Sequence, residues 1–194
     1  MFFPVIANNE IQTYRNGPHF LASTSDRSAN YTIVSGTNRI GSQTEKVAGE
    51  YAHILKNRCI GATILSLTNL DVLDRTPNFL KIEEEILIPT QKFIFIIPEY
   101  NGTFPGVLKA MIDNSDVIKV WHYKKALLTG VSSGRAGNLR GMDHLAASLQ
   151  YMKMSVHYNK LPISAINRVM DTNGRLNAET LNEINQQLDQ FLSF

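Results

Sequence analysis

The chain has one cysteine, Cys59, in 194 residues. A single thiol excludes an internal disulfide framework and any multi-cysteine metal site. Cys59 stands beside Ile60 in an apolar stretch, so it is expected to be a buried, inert thiol. Charge of one sign is scarce too. Nineteen Lys and Arg against 17 Asp and Glu leave a formal net charge of +2, and no Lys/Arg block stands out. The basic footprint of a nucleic-acid binder is therefore missing. No apolar run approaches the roughly 20 residues of a membrane helix. The stretch Met1-Phe2-Phe3-Pro4-Val5-Ile6-Ala7 has no basic flank and is broken by Pro4. It does not read as a signal peptide, and a cytoplasmic protein is the expectation. His122, His144 and His157 form no evident Ser/His/Asp or metal constellation. Each is expected to be a surface or packing residue, so no catalytic residue and no metal ligand is assigned.

What remains is an ordinary globular mixture, 43% hydrophobic and 19% charged, long enough for one domain with a sizeable core. Residues 1–30 have no clear period and carry loop chemistry such as Asn16-Gly17-Pro18. They read as an arm or extension outside the core, with Phe2, Phe3 and Phe20 available to pack on a neighbour. From Tyr31 onward, short apolar runs alternate with amphipathic segments. Strands are expected at 31–35, 60–67, 92–97, 126–131 and 155–158. Helices are expected at 43–56, 79–88, 106–117, 139–152 and 177–192. Glu83-Glu84-Glu85 reads as a solvated helix face, because consecutive side chains point in different directions. Alternating strands and helices imply right-handed βαβ units. The expected fold for 31–194 is an α/β three-layer sandwich, a five-stranded parallel sheet with helices on both faces and a flavodoxin-like strand order.

Three loops follow strands one, three and four, which places them on one edge of such a sheet. The first is Ser35-Gly36-Thr37-Asn38-Arg39-Ile40-Gly41-Ser42-Gln43-Thr44. A hydroxyl-rich loop between a strand and a helix N-terminus is an anion-site layout. Its Gly36-x-x-x-x-Gly41-Ser42 spacing approaches a P-loop, but Ser42 stands where the lysine belongs. A terminal monophosphate fits better than a β/γ-phosphate. Ser42-Gln43-Thr44-Glu45 is also a capping-box pattern. The second loop, Pro98-Glu99-Tyr100-Asn101-Gly102-Thr103-Phe104-Pro105-Gly106, combines fixed φ at proline with freedom at Gly102. Its N–H groups suit the polar edge of a flat heterocycle, and Tyr100 can pack on one. The third, Ser132-Ser133-Gly134-Arg135-Ala136-Gly137-Asn138-Leu139-Arg140, offers close backbone approach. Arg135 and Arg140 are available to an anionic substrate or second nucleotide.

These three motifs together resemble the NADPH-dependent FMN reductase family of the flavodoxin-like fold, which includes azoreductases and quinone or chromate reductases. The resemblance covers about residues 31–165 and is most specific at Pro98-Glu99-Tyr100-Asn101-Gly102. It implies FMN as cofactor and NADPH, or NADH, as electron donor. Thr37, Arg39, Ser42, Gln43 and Thr44, with Ser35 at the strand end, would hold the FMN phosphate. Pro98, Glu99, Tyr100, Asn101 and Gly102 would lie along the isoalloxazine ring. Ser132, Ser133, Gly134, Arg135 and Gly137 would close its other side. The resemblance also implies a homodimer or homotetramer acting on a small-molecule electron acceptor, with no nucleic-acid or membrane partner. Hydride would pass from NADPH to flavin N5, and an acceptor such as a quinone, azo compound or flavin would take two electrons. The alternative is a flavodoxin-type electron carrier; such carriers are strongly acidic, and +2 argues against one. Two departures from the family pattern are Asn114-Ser115, where an aromatic residue is common, and the 30-residue extension.

Overall fold

A run of apolar residues that must bury both faces of a strand needs helices above and below it. In the computed structural model, which describes residues 29–194 and the backbone of 5–7 and 10–12, that is what the central strands obtain. Strands β3 (Tyr31–Ser35), β4 (Ala62–Ser66), β5 (Lys92–Pro98) and β6 (Lys125–Val131) lie side by side in parallel. β7 (Ser155–Val156) and β8 (Leu161–Ile163) both continue the parallel sheet beyond β6. All seven residues of β5 are buried. The order β4-β3-β5-β6-β7 gives the expected five-stranded parallel core.

Helix α1 (Gln43–Asn57) and helix α6 (Ala178–Ser193) cover one face, packing Val47, Tyr51, Ile184 and Leu188 against Ile33, Ile94 and Leu127. The other face carries α2 (Pro77–Ile82), α3 (Gly106–Asn114) and α4 (Leu139–Tyr151). There Phe79, Met111 and Leu145 meet Val34, Phe95 and Leu128. A one-turn helix, α5 (Ile166–Val169), follows β8. Trp121 anchors the second face. Its ring centroid lies 5.1 Å from that of Phe93, and its Nε1 donates to Ser115 Oγ at 2.8 Å.

Several expectations need correction. The fifth strand, expected at 155–158, stops at Val156, and a further short strand at Leu161–Ile163, which the sequence pattern does not predict, pairs with β6 beyond it. The helix expected at 79–88 begins earlier, capped by Thr76 with Pro77 in its first turn, and becomes a π-helix over Glu83–Leu87. That wider turn buries Glu83, which is no solvated residue. It pairs with Arg75 at 2.7 Å and accepts the Asp116 N–H at 2.6 Å. Glu84 and Glu85 are exposed, as expected. The helix expected at 106–117 ends at Asn114, and a separate π turn at Val117–Trp121 starts from an Asp116 cap.

Cys59 is exposed rather than buried. It closes α1 in the left-handed conformation, φ 58°. Its N–H bonds Lys56 O, and the Ile60 N–H bonds Leu55 O. This paired return of the chain is the turn that ends many helices, and it leaves the closing residue at the surface. The extension, expected to lie outside the core, lends the sheet backbone pairing: β1 (Val5–Ala7) runs parallel to β4, and β2 (Glu10–Gln12) antiparallel to β1. The packing expected of Phe2, Phe3 and Phe20 falls outside the described residues.

Candidate functional site

The chain leaves β3 for α1 toward β4, then crosses back to β5 on the other side of β3. Strand order reverses there, and the loops at the carboxyl ends of β3 and β5 diverge to open a crevice. The loop after β6 borders it.

The loop after β3 is set by close packing. A Cβ on Gly36 would stand 2.9 Å from Ile97 Cγ2 and 3.2 Å from Ile96 O. Only glycine lets the backbone lie this close to β5, where the Gly36 N–H bonds Ile96 O at 2.9 Å. Ser35 is 1% exposed and its hydroxyl has no partner. A buried hydroxyl without a bond is costly, which marks it as a group that a ligand would satisfy. Thr37 is equally buried; its Oγ1 lies 2.6 Å from the Tyr100 hydroxyl and accepts the Arg39 N–H at 3.2 Å. Arg39 is exposed and sits over the Tyr100 ring, Cζ 4.0 Å from the centroid. Tyr100, which the sequence offers for packing on a flat heterocycle, is tied to the first loop through its hydroxyl and covered by a guanidinium on one face.

Ser42 is the N-cap of α1 and accepts the Glu45 N–H at 3.1 Å. The reciprocal half of the capping box goes elsewhere, because Glu45 Oε1 accepts from Ser66 Oγ at 3.4 Å. Gln43 and Thr44 occupy the first helical turn, where N–H groups have no partner within the helix. Thr44 is buried, and Gln43 keeps a buried, unpartnered Oε1.

The loop after β5 makes a tight turn. Tyr100 and Thr103 exchange backbone bonds of 2.9 and 3.2 Å. Between them Asn101 (φ 52°) and Gly102 (φ 81°) are both left-handed, the signature of a type I′ turn. The Glu99 N–H bonds Val131 O at 3.1 Å. So within the Glu99–Thr103 turn the N–H groups of Glu99, Tyr100 and Thr103 are used by the fold, and those of Asn101 and Gly102 have no backbone partner among the described residues. Thr103 Oγ1 lies 2.9 Å from His144 Nδ1. His144, expected to be a surface or packing residue, is exposed and also reaches the turn.

The loop after β6 is held both by its own bonds and by β8 and the chain that follows it. The Ser132 N–H bonds Ile163 O at 3.0 Å, and Gly134 O and Ser132 O accept the Ala165 and Ile166 N–H groups at 2.8 and 3.0 Å. Ser132 Oγ donates to Gly134 O and accepts the Gly137 N–H. Gly137 is left-handed, φ 56°, and a Cβ there would strike Pro162 at 2.5 Å. Ser132 and Gly137 therefore shape the loop, while Ser133, Gly134 and Arg135 are exposed. Asn138, to which the loop motif assigns no role, ties this loop to the rest of the site. It is fully buried and left-handed, and its Nδ2 donates to Ile97 O at 3.1 Å and Pro98 O at 2.9 Å. Its space comes from two missing side chains. A Cβ on Gly141 would stand 2.1 Å from Asn138 Oδ1, and one on Gly130 would stand 3.0 Å from Asn138 Cβ. Asn138 thereby ties the third loop to the start of the second. Nothing in the local sequence announces this role: Asn138 stands before α4 but makes no side-chain bond to that helix, and the room it needs is left by Gly130 and Gly141.

Among the described residues, no group of three or more His, Cys, Asp or Glu could hold a metal ion, and no helix is long and apolar enough to cross a membrane.

A family model described as NADPH-dependent FMN reductase matches residues 30–165. An NAD(P)H-dependent FMN reductase from Pseudomonas aeruginosa is 32% identical over 102 residues, which cover 51% of this chain and 55% of that protein. The match thus spans about half the length of that relative. Among solved structures, FerB, a flavoenzyme NAD(P)H:(acceptor) oxidoreductase from Paracoccus denitrificans, superposes with a TM-score of 0.69 at 19% identity, covering 85% of this chain and 96% of that one. An FMN-dependent NADH-azoreductase from Bacillus anthracis, in complex with FMN, gives a TM-score of 0.55 at 15% identity, covering 85% and 98%. At such identities these structures speak for the shared fold.

Proposed function

Because the chain belongs to the NADPH-dependent FMN reductase family, we propose that it is an NAD(P)H-dependent oxidoreductase carrying FMN. The observation that carries the proposal is the unpartnered Ser35 hydroxyl at the floor of the first loop, beside the first turn of α1. Gly36 keeps the backbone low, and the α1 N-terminus favours a negative charge. Arg39 adds a fork of donors. Thr37, Ser42, Gln43 and Thr44 complete a cradle suited to a terminal phosphate, and it contains no lysine.

The Pro98–Gly102 stretch would form the wall against the flavin ring, with the N–H groups of Asn101 and Gly102 as the donors left to meet its polar edge. Asn138 holds the carbonyls of Ile97 and Pro98, so the wall is fixed before a ligand arrives. Ser133, Gly134 and Arg135 would close the other side on a loop shaped by Ser132 and Gly137. FMN held by these residues would supply the redox chemistry between NADPH or NADH and an acceptor such as a quinone, azo compound or flavin. The protein's part is to bind and orient, and no side-chain acid or base is assigned. Residues 31–194 would form the flavin-binding unit, with 1–30 as an arm, and the active form would be a homodimer or homotetramer.

The test is direct. Purified protein should quench the fluorescence of added FMN, and the loaded protein should oxidise NADPH or NADH when given a panel of quinone, azo and flavin acceptors. Failure to bind FMN at micromolar concentration would remove the reading. Binding without oxidation of either dinucleotide would point to a flavodoxin-type carrier.

A further inference from the structure

We propose that Arg140 and His144 of α4 form a phosphate subsite for the reduced nicotinamide dinucleotide, beside the Tyr100–Thr103 turn; this rests on the reductase reading above. The two residues are four apart on one helix and so share a face. Both are exposed. Both reach the turn: Arg140 Nη1 lies 3.0 Å from where a Cβ on Gly102 would stand, and His144 Nδ1 lies 2.9 Å from Thr103 Oγ1. The turn therefore carries cationic or hydrogen-bonding side chains at both ends, Arg39 over Tyr100 and the α4 pair over Gly102 and Thr103.

Charge makes the case for an anion. Among the described residues, no carboxylate lies within ion-pair distance of Arg140, and the acidic residue between the pair, Asp143, is engaged by Lys160. A guanidinium resting on a glycine, with no acid partner, has its donor fork available. His144 has its Nδ1 taken by Thr103, so its Nε2 is the ring nitrogen left for a ligand. FMN has a single phosphate, for which the first loop supplies Arg39 and a helix N-terminus. A second set of phosphate-binding groups on the same sheet edge calls for a second phosphate-bearing ligand. Quinone and azo acceptors have none, and free FMN as an acceptor has only one. The electron donor has a pyrophosphate, and NADPH adds a 2′-phosphate. A bidentate Arg with an imidazole beside it suits either.

FMN-loaded wild type, Arg140→Ala, Arg140→Lys and His144→Gln would be compared with NADPH and with NADH, using a neutral quinone as acceptor. Arg140→Ala should raise the donor KM about tenfold, the worth of one hydrogen bond to a charged group. The loss should fall on KM rather than kcat, with Lys intermediate. Calorimetry with 2′,5′-ADP and with 5′-ADP supplies a readout free of hydride transfer. An equal rise for NADPH and NADH, with both probes weakened, assigns the pyrophosphate. A rise for NADPH alone, with only 2′,5′-ADP weakened, assigns the 2′-phosphate. A donor KM within about twofold of wild type for both dinucleotides, or a change confined to the acceptor KM or to FMN retention, overturns the subsite and leaves the reductase reading standing. Wild-type protein that oxidises neither dinucleotide overturns both.

Discussion

Arg39 sits over the ring of Tyr100, its guanidinium carbon 4.0 Å from the ring centroid, while the Tyr100 hydroxyl lies 2.6 Å from Thr37 Oγ1. One tyrosine thus joins the loop after β3 to the loop after β5. The guanidinium is held by stacking at an exposed position, where such a contact is worth about 0.5–1 kcal/mol. It is positioned without being neutralised, and its donors remain available to an anion at the α1 N-terminus.

Arg39→Ala should therefore weaken FMN binding by about 1.5–3 kcal/mol, the worth of a hydrogen bond to a charged group, and should leave thermal stability nearly unchanged. Titration of FMN fluorescence against each protein measures it. An unchanged Kd would remove Arg39 from the phosphate site.

Gly102→Val should cost flavin binding without unfolding the protein. At φ 81° a β-branched residue is strained, by about 1–2 kcal/mol. Its Cβ would also press on Arg140 at 3.0 Å, though the far end of that side chain can move. The turn should open and the wall shift while the buried core stays intact. Circular dichroism should report a folded protein with a modestly lowered Tm, and flavin titration should report lost binding. Wild-type flavin affinity in this variant would refute the role given to the turn.

Local patterns made much of this architecture legible. β5 reads as a strand because Phe93–Ile97 is an unbroken apolar run, and α1 and α6 carry their buried residues at helical spacing. The three loops were legible because glycine, proline and hydroxyl residues follow strands directly. What stayed hidden depends on three-dimensional contacts that no local pattern encodes. Pro162 has no N–H for a ladder, and β8 tolerates it at the sheet edge, opposite Gly130. Glu83 is buried because Arg75 and the Asp116 backbone meet it. Asn138 takes its role from room left by Gly130 and Gly141, and neither spacing announces it.

Asn138→Ala should destabilise the protein by roughly 2–4 kcal/mol, combining two lost hydrogen bonds with a left-handed φ that alanine resists. Asn138→Gly relieves the backbone strain but restores neither bond, so it should fall between the alanine variant and wild type. Urea unfolding measures both. If the glycine and alanine variants were equally stable, backbone strain would play no part at this position. If both matched wild type, Asn138 would not be the tie between the second and third loops.

His157 predicts a pH dependence of stability. It is 2% exposed and packs against Tyr158, Phe191 and Phe194, with ring centroids 4.4, 5.9 and 5.0 Å away. Burial holds its pKa below the ordinary value of 6.5. Above that value the ring is neutral in both the folded and the unfolded chain, and it adds no pH dependence. As pH falls through it, the unfolded chain takes up a proton that the folded chain resists, so stability declines with acidification. The strand end and the last turn of α6 should feel this first, since His157 joins them. Between about pH 7.5 and about pH 5.5, the Tm of wild type should fall more steeply than that of His157→Gln, which cannot titrate. Parallel curves for the two proteins would exclude His157 as the source.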